Sequence, residues 1–281
     1  MLKIDKTLAL QQLNETVLTS SKYKDICPEL VSAIGAQELL KRRTLKEAVK
    51  ATKNKLHQIG GAYLDGHEDY PNWLATIAEA RLSGSPETLK QSCRHIMAYH
   101  ASTRERLPIL EDFYHTIFTH LPPIQSIIDI ACGLNPLALP WMISGGSLPS
   151  SYCAYDIYQH IMDFLAAYFQ RMSITGKAQV CDVIQSCPTQ HVDLALVLKV
   201  LPCLEQVDKR AAYQLLHTLN ARHIIVSYPI QSLGGKDKGM ATYYTDHFQN
   251  LVKDDQWSIQ RIEFATELVF IIDTHAVKIS G

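Results

Sequence analysis

The chain has no C-x-x-C pair, and its seven cysteines, at positions 27, 93, 132, 153, 181, 187 and 203, are odd in number and irregularly spaced. That argues against a disulfide framework and a structural zinc site. Several lie inside apolar runs, where cysteine packs as a small hydrophobe, so a reducing, cytoplasmic setting is expected. Twelve histidines offer no H-E-x-x-H or similar pair, and no metal is expected. Export is not expected: MLKIDKTLAL carries Lys3, Asp5 and Lys6 where an export signal needs its apolar core. No heptad is sustained, and 13 Gly and 12 Pro without a period exclude collagen and coiled coil. One uncharged run, Ile130 to Tyr155, is long enough to suggest a membrane span. Gly133, Pro136, Pro140, Gly145, Gly146 and Pro149 interrupt it, so it reads as strand, loop and turn, and no membrane partner is expected.

What remains is ordinary globular material: 281 residues, 47% hydrophobic and 20% charged, enough for one large domain or two modest ones. The net charge of −1 is unevenly spread. Residues 1–110 hold 16 Lys and Arg against 12 Asp and Glu, and residues 111–281 hold 11 against 16. A basic front half is the one that would meet a polyanion. Up to about residue 120 the apolar spacing is helical. Thr44 to Ile59 is the clearest helix, stopped by Gly60-Gly61, with Arg42, Lys46, Lys50 and Lys53 on one face and Leu45, Val49, Leu56 and Ile59 on another. Ser85-Pro86-Glu87 reads as a helix start, and Ser102 with Glu105 as a capping box.

From about residue 124 short apolar strands alternate with helices: 126–131, 152–157, 178–183, 193–200 and 223–229. Two further strands, 258–265 and 267–273, follow each other directly. Alternation predicts a parallel sheet covered on both faces, with a terminal hairpin adding an antiparallel strand. The combination fits an α/β, Rossmann-like methyltransferase sheet behind a helical N-terminal domain better than a plain dinucleotide fold. The first strand runs Ile127-Ile128-Asp129-Ile130 into Ala131-Cys132-Gly133-Leu134-Asn135-Pro136. A dinucleotide loop needs a second glycine so that backbone can approach a pyrophosphate, and Asn135 stands there instead. The loop is similar to the acidic-x-G-x-G-x-G turn of methyltransferases, with Ala131 and Asn135 in place of its first and third glycines. Asp156 closes the second strand 23 residues after Gly133, near the roughly 20 expected of a carboxylate that receives a ribose diol. Asp182 closes the third, where methyltransferases place an acid against the adenine amino group. Both could instead be caps of the helices that follow.

Three further stretches carry a more specific resemblance: H-A-S-T-R-E-R-L at 100–107, L-V-L-K-V-L-P-C-L-E at 196–205, and S-Y-P-I-Q-S-L-G-G-K-D-K-G-M at 227–240. With the glycine loop they resemble, in order and from about residue 35 onward, the aminoglycoside-resistance 16S rRNA methyltransferases that modify a decoding-site guanine (position 1405 type) at N7. The resemblance implies a helical ribosome-docking domain over 1–105 and a catalytic domain over 106–281. S-Adenosylmethionine is the implied cofactor, and the implied partner is the assembled 30S subunit at the helix 44 region of 16S rRNA. It also implies roles. Arg106 is to hold the methionine carboxylate, helped by Tyr63 or Arg104. Ala131, Gly133, Asp156, Ile157, Asp182, Val183 and Leu198 are to surround the cofactor. Leu198, Lys199 and Glu205 are to lie near the methyl group and the target base. Two other readings stay open: a methyltransferase of another substrate class, and a non-catalytic ribosome-binding factor of the same fold.

Guanine N7 already carries a lone pair, so the reaction needs no strong general base, and none is evident. N7 lies in a groove that protein enters poorly in A-form RNA, so the base must leave its stack. The loop Gly234-Gly235-Lys236-Asp237-Lys238-Gly239-Met240 suits that step, with Lys236 and Lys238 for phosphates and Met240 as a brace. Arg42, Lys46, Lys50 and Lys53 are the candidates for docking to RNA phosphates, among seven cations read onto one helix between 41 and 55. Tyr243, Tyr244 and Phe248, which follow, are expected in the core.

Overall fold

A computed structural model of the chain describes residues 6–61, 68–143, 149–230 and 239–275. The front is helical: α1 (Lys6–Leu18), α2 (Pro28–Lys41), α3 (Leu45–Leu56), α4 (Tyr70–Leu82), α5 (Pro86–Met97), α6 (Ala101–Arg106) and α7 (Leu110–Thr119). The remainder alternates as β1 (Ser126–Ile130), α8 (Leu139–Met142), β2 (Ser151–Asp156), α9 (Gln159–Met172), β3 (Gly176–Val180), β4 (Val192–Leu198), α10 (Leu201–Val207), α11 (Ala211–Thr218), β5 (Ala221–Pro229), α12 (Met240–Leu251), β6 (Ser258–Glu263) and β7 (Glu267–Asp273). The sheet order is β3-β2-β1-β4-β5-β7-β6, with β1 to β5 parallel and β7 antiparallel to both its neighbours. The hairpin therefore folds back so that its second strand, not its first, joins β5.

Alternate residues along the strands feed two separate cores. Ile127, Tyr152, Leu194, Leu196 and Ile225 pack with Leu13, Val31, Ile34, Ala48, Ile77 and Ile96 of the front helices and with α9. Ile128, Ile130, Ala195, Val197, Ile224 and Phe270 face the other way, onto α11 and onto Phe248 of α12. The front helices thus share one core with a face of the sheet. The expected division at 105/106 falls inside α6, where no core ends. That division comes with the family resemblance; the change of rhythm in the sequence falls later, near residue 120, and the helices of 70–119 share their core with the sheet.

Helix ends follow local chemistry, with two departures from expectation. Thr44 caps α3 and Glu47 reaches back to the Thr44 N–H, a complete capping box. Ser102 does not cap α6, whose first residue is Ala101; Glu105 turns instead to Lys199. The α3 helix ends at Leu56 and the chain continues through a π turn, His57–Gly61, rather than stopping at the glycine pair. Gly60 is required there: a Cβ would lie 2.7 Å from the Tyr158 hydroxyl.

Candidate functional site

Strand order reverses between β1 and β4, and in open α/β sheets the crevice beyond the strand ends at that point is where ligands sit. A cleft of about 800 Å³, including its open mouth, lies there. Its floor is Ala131 after β1, Asp156 and Ile157 at the end of β2, Cys181 to Ile184 after β3, and Leu198, Lys199 and Val200 at the end of β4. Its far wall comes from the front half: Leu30 of α2, Ile59 and Gly60 of the π turn, and His100 and Ser102 around α6. Two bonds hold that wall to the β2 end. Cys27 donates its N–H to the Ile157 carbonyl at 2.7 Å, and Gln159 donates to the Asp25 carbonyl at 2.8 Å.

The strand-end carboxylates are not helix caps. Asp156 accepts the Gly133 N–H at 2.8 Å through one oxygen and the Ile157 N–H at 2.7 Å through the other, so it fastens the glycine loop to β2. The backbone turns at Ala131 (φ 49°) and Gly133 (φ 50°), the left-handed region. A side chain on Gly133 would strike the His100 ring at 2.6 Å, so the glycine is needed for close approach as well as for its φ. Asp182 accepts the Ile184 N–H at 3.0 Å with Oδ1, an Asx turn. Its Oδ2 is buried and accepts no hydrogen bond. Burial raises the pKa of both acids. An acceptor left open on a buried carboxylate costs free energy until a donor arrives, as an amino group of a bound ligand would.

Behind this floor runs a buried polar chain. Arg106 is fully buried and donates from Nε and Nη2 to the two Glu267 carboxylate oxygens at 2.8 and 3.0 Å. Its Nη1 donates to Asn135 Oδ1 at 2.9 Å. Asn135 donates in turn to Asp129 at 2.9 Å, and Tyr152 donates to the same Asp129 oxygen at 2.7 Å. Lys199, in the left-handed region (φ 61°), reaches Glu267 at 3.1 Å, Glu105 at 2.9 Å and the Ser102 carbonyl at 3.1 Å. Burial works against the Glu267 carboxylate, but the Arg106 and Lys199 charges hold its pKa below the usual range. Burial pushes Asp129 up to about 6.

Of the residues named from sequence, Ala131, Asp156, Ile157, Asp182, Val183, Leu198 and Lys199 line the cleft, and Gly133 reaches it through Asp156. Arg106 does not line it, because the ion pair with Glu267 takes its guanidinium into the core. Arg104 is exposed and donates to the Ala98 carbonyl. Glu205 lies on the other face of α10, paired with His247 at 3.0 Å. Tyr63, Gly234, Gly235, Lys236 and Lys238 lie outside the described residues; Met240 is the first residue of α12. The seven cations are not on one helix. Lys41, Arg42 and Lys55 converge on Glu38, a carboxylate 1% exposed, at 3.9, 3.0 and 3.1 Å. A buried carboxylate needs such partners. Lys46 and Lys50 remain exposed on α3, and Lys53 is half-buried. Leu30, Ile59 and Glu267 carry no site signal in the sequence, Ile59 reading only as part of an apolar helix stripe, until the fold brings them to the cleft or behind it. Of Tyr243, Tyr244 and Phe248, only Phe248 is in the core; Tyr243 is 62% exposed.

Among the described residues no group of acids, histidines and cysteines could hold a metal, and no helix is long and apolar enough to cross a membrane. Strand-end carboxylates for a diol and an amino group, with apolar Ile157, Val183 and Leu198 between them, match the parts of an adenosyl group. The chain is 35% identical to a 16S rRNA (guanine(1405)-N(7))-methyltransferase of Micromonospora rosea, covering 94% of this chain and 96% of the relative. It is 37% identical to one of Frankia casuarinae, covering 94% and 93%. The crystal structure of the 16S rRNA methyltransferase RmtF in complex with S-adenosyl-L-homocysteine superposes with a TM-score of 0.80 at 29% identity, covering 96% of this chain and 99% of that one. The 16S rRNA methylase RmtB gives a TM-score of 0.74 at 29% identity, over 94% and 98%. The family model described as ribosomal RNA methyltransferase (FmrO) matches residues 19–271, and the chain belongs to that family.

Proposed function

We propose that the chain transfers the methyl group of S-adenosylmethionine to N7 of the decoding-site guanine at position 1405 of 16S rRNA, in the assembled small subunit, and so confers aminoglycoside resistance. The observation that carries the reading is the make-up of the cleft. Its floor is the strand-end set Asp156, Asp182 and Leu198, and its wall is the π turn into which the basic helix α3 runs directly. The helix that carries the exposed Lys46 and Lys50 thus leads straight into the cleft wall.

In this reading Asp156 accepts the ribose hydroxyls and Asp182 the adenine amino hydrogens, with Ile157 and Val183 against the ring; their common place in the cleft lining and the unpartnered Asp182 Oδ2 support it. The bound cofactor supplies an electrophilic methyl on a sulfonium. Lys199 lies in the cleft floor with all three ammonium donors taken, by Glu105, Glu267 and the Ser102 carbonyl, and so fixes the chain after β4. Arg106 holds Glu267 and Asn135, and through them keeps Lys199 and the glycine loop in place. No residue has to take a proton from N7, so the chain's contribution is placement, which can supply roughly 7–11 kcal/mol. Docking falls to Lys46, Lys50 and Lys53, with Lys236, Lys238 and Met240 engaging the nucleotide once it is displaced.

The test is to incubate purified small subunits, and separately free 16S rRNA, with the protein and S-adenosylmethionine, then map the modified base by primer extension and mass. N7-methylguanine at the decoding site of subunits, with little on free rRNA, is the expected result. Methylation at the adjacent adenine N1, or none, overturns the reading.

A further inference from the structure

On the side of α10 away from the cleft lies a second groove, bounded by Gln58, Glu205, Lys209, Tyr243 and His247. It shares walls with the cofactor cleft. The π turn gives Ile59 and Gly60 to the cleft and Gln58 to the groove, while α10 gives Cys203, Leu204 and Val207 to one and Pro202, Glu205 and Gln206 to the other. The groove is therefore one helix away from where the methyl group must be.

Its exposed aromatic side chain is Tyr243, at 62%. The ring is not loose. It lies parallel to His247 (7° between planes, centroids 6.0 Å apart) and edge-on to Tyr244 at 5.2 Å. Tyr244 stacks at 4.6 Å on Tyr228, which is fully buried in the sheet core. Glu205 fixes His247 from the opposite wall. An aromatic face held this rigidly in water, with a cation (Lys209), a carboxamide (Gln58) and a carboxylate (Glu205) around it, has what an unpaired nucleotide requires: a π surface to stack on, a phosphate partner and edge hydrogen bonds. A protein partner would not need the π face, only apolar bulk.

We propose that this groove receives an unstacked rRNA base flanking the methylated guanine, with Tyr243 as the stacking platform. This rests on the rRNA reading above. Opening the stack to expose one nucleotide costs a few kcal/mol, and a platform next to the cleft offsets part of that cost by holding the neighbour.

The experiment compares wild type with Tyr243→Ala, Tyr243→Leu, Tyr243→Phe and Tyr243→Trp on purified small subunits. Methyl-transfer kcat/KM, subunit affinity and calorimetric affinity for S-adenosylmethionine are measured for each. Phe and Trp should stay within about twofold of wild type, whereas Ala and Leu should each lose about tenfold or more in kcat/KM, the lower range of base–aromatic stacking. Cofactor affinity should be unchanged in all four. Activity retained by the Leu variant, or by both Ala and Leu, overturns the stacking role. So does a loss of cofactor affinity in step with activity, which makes Tyr243 a packing residue. If wild type itself leaves subunits unmethylated, the substrate reading fails first and takes this one with it.

Discussion

At the scale of single residues, two of the charged groups that sequence placed together at the cofactor, Asp182 and Arg106, have different surroundings. Asp182, a residue of the cleft lining, holds an unfilled acceptor. Arg106 is saturated inside the core. Asp182→Asn should weaken S-adenosylmethionine binding by about tenfold or more, the worth of a hydrogen bond to a charged group. Its denaturation midpoint should hold or rise, because the variant no longer buries a charge. Arg106→Ala should cost about 3–5 kcal/mol in stability, since Glu267 is left buried with Lys199 as its remaining cation. Calorimetry and urea denaturation on the same samples separate the two effects; equal losses of stability would remove the distinction. Asp129 supplies a pH test. Its carboxyl titrates near 6 when folded and near 4 when unfolded, so between those values the folded state binds the extra proton. Stability from this group therefore falls as pH rises from about 4 to about 6, by at most roughly 3 kcal/mol. Asp129→Asn keeps an oxygen for Asn135 and Tyr152 and has no charge to bury. Relative to wild type it should gain stability across that window and level off above it. A constant difference from pH 4 to pH 7 would count against the assignment.

At the scale of elements, α3 has two jobs that its sequence runs together. Its inner face and flanks serve Glu38 and the core, through Ala48, Thr52, Lys55 and Leu56. Lys46 and Lys50 face solvent. Replacing Lys46, Lys50 and Lys53 with Glu should lower small-subunit affinity at least tenfold at moderate salt, flatten its salt dependence, and leave cofactor affinity alone. Titrating Arg42 into the same set should instead lower stability, because it removes a partner from Glu38. Met240, at the start of α12, belongs to the later step. Met240→Ala should reduce turnover under saturating subunit and cofactor with little change in subunit affinity; a proportionate loss of both would make it a docking residue.

At the scale of the whole molecule, one core runs from Leu13 of α1 to Ile271 of β7, and the cleft wall is contributed by the front half. The chain should therefore unfold in a single transition, with S-adenosylmethionine at a hundred times its Kd raising the stability of the whole by about 2.7 kcal/mol. Two resolved calorimetric transitions, with the ligand moving only the second, would restore two independent domains.

The sequence by itself determined the sheet and its ligand end. Strands with Val, Ile and Leu on both faces are legible because burial on both sides leaves no polar alternation. Every strand lies within two or three residues of where it was expected. Asp156 and Asp182 were legible because strand ends carry ligands and their spacing follows from the fold. Only the tertiary structure decided which charges reach that end. Arg106, Glu267 and Lys199 are separated by 161 and 68 positions, and nothing local tells a buried ion pair from a ligand-binding arginine. The same holds for Glu38, which claims three of the seven cations, and for Tyr243, whose helix turns it outward while Phe248 turns inward. Spacing fixes which residues share a face of an element; what that face meets is set by packing between elements far apart in the chain.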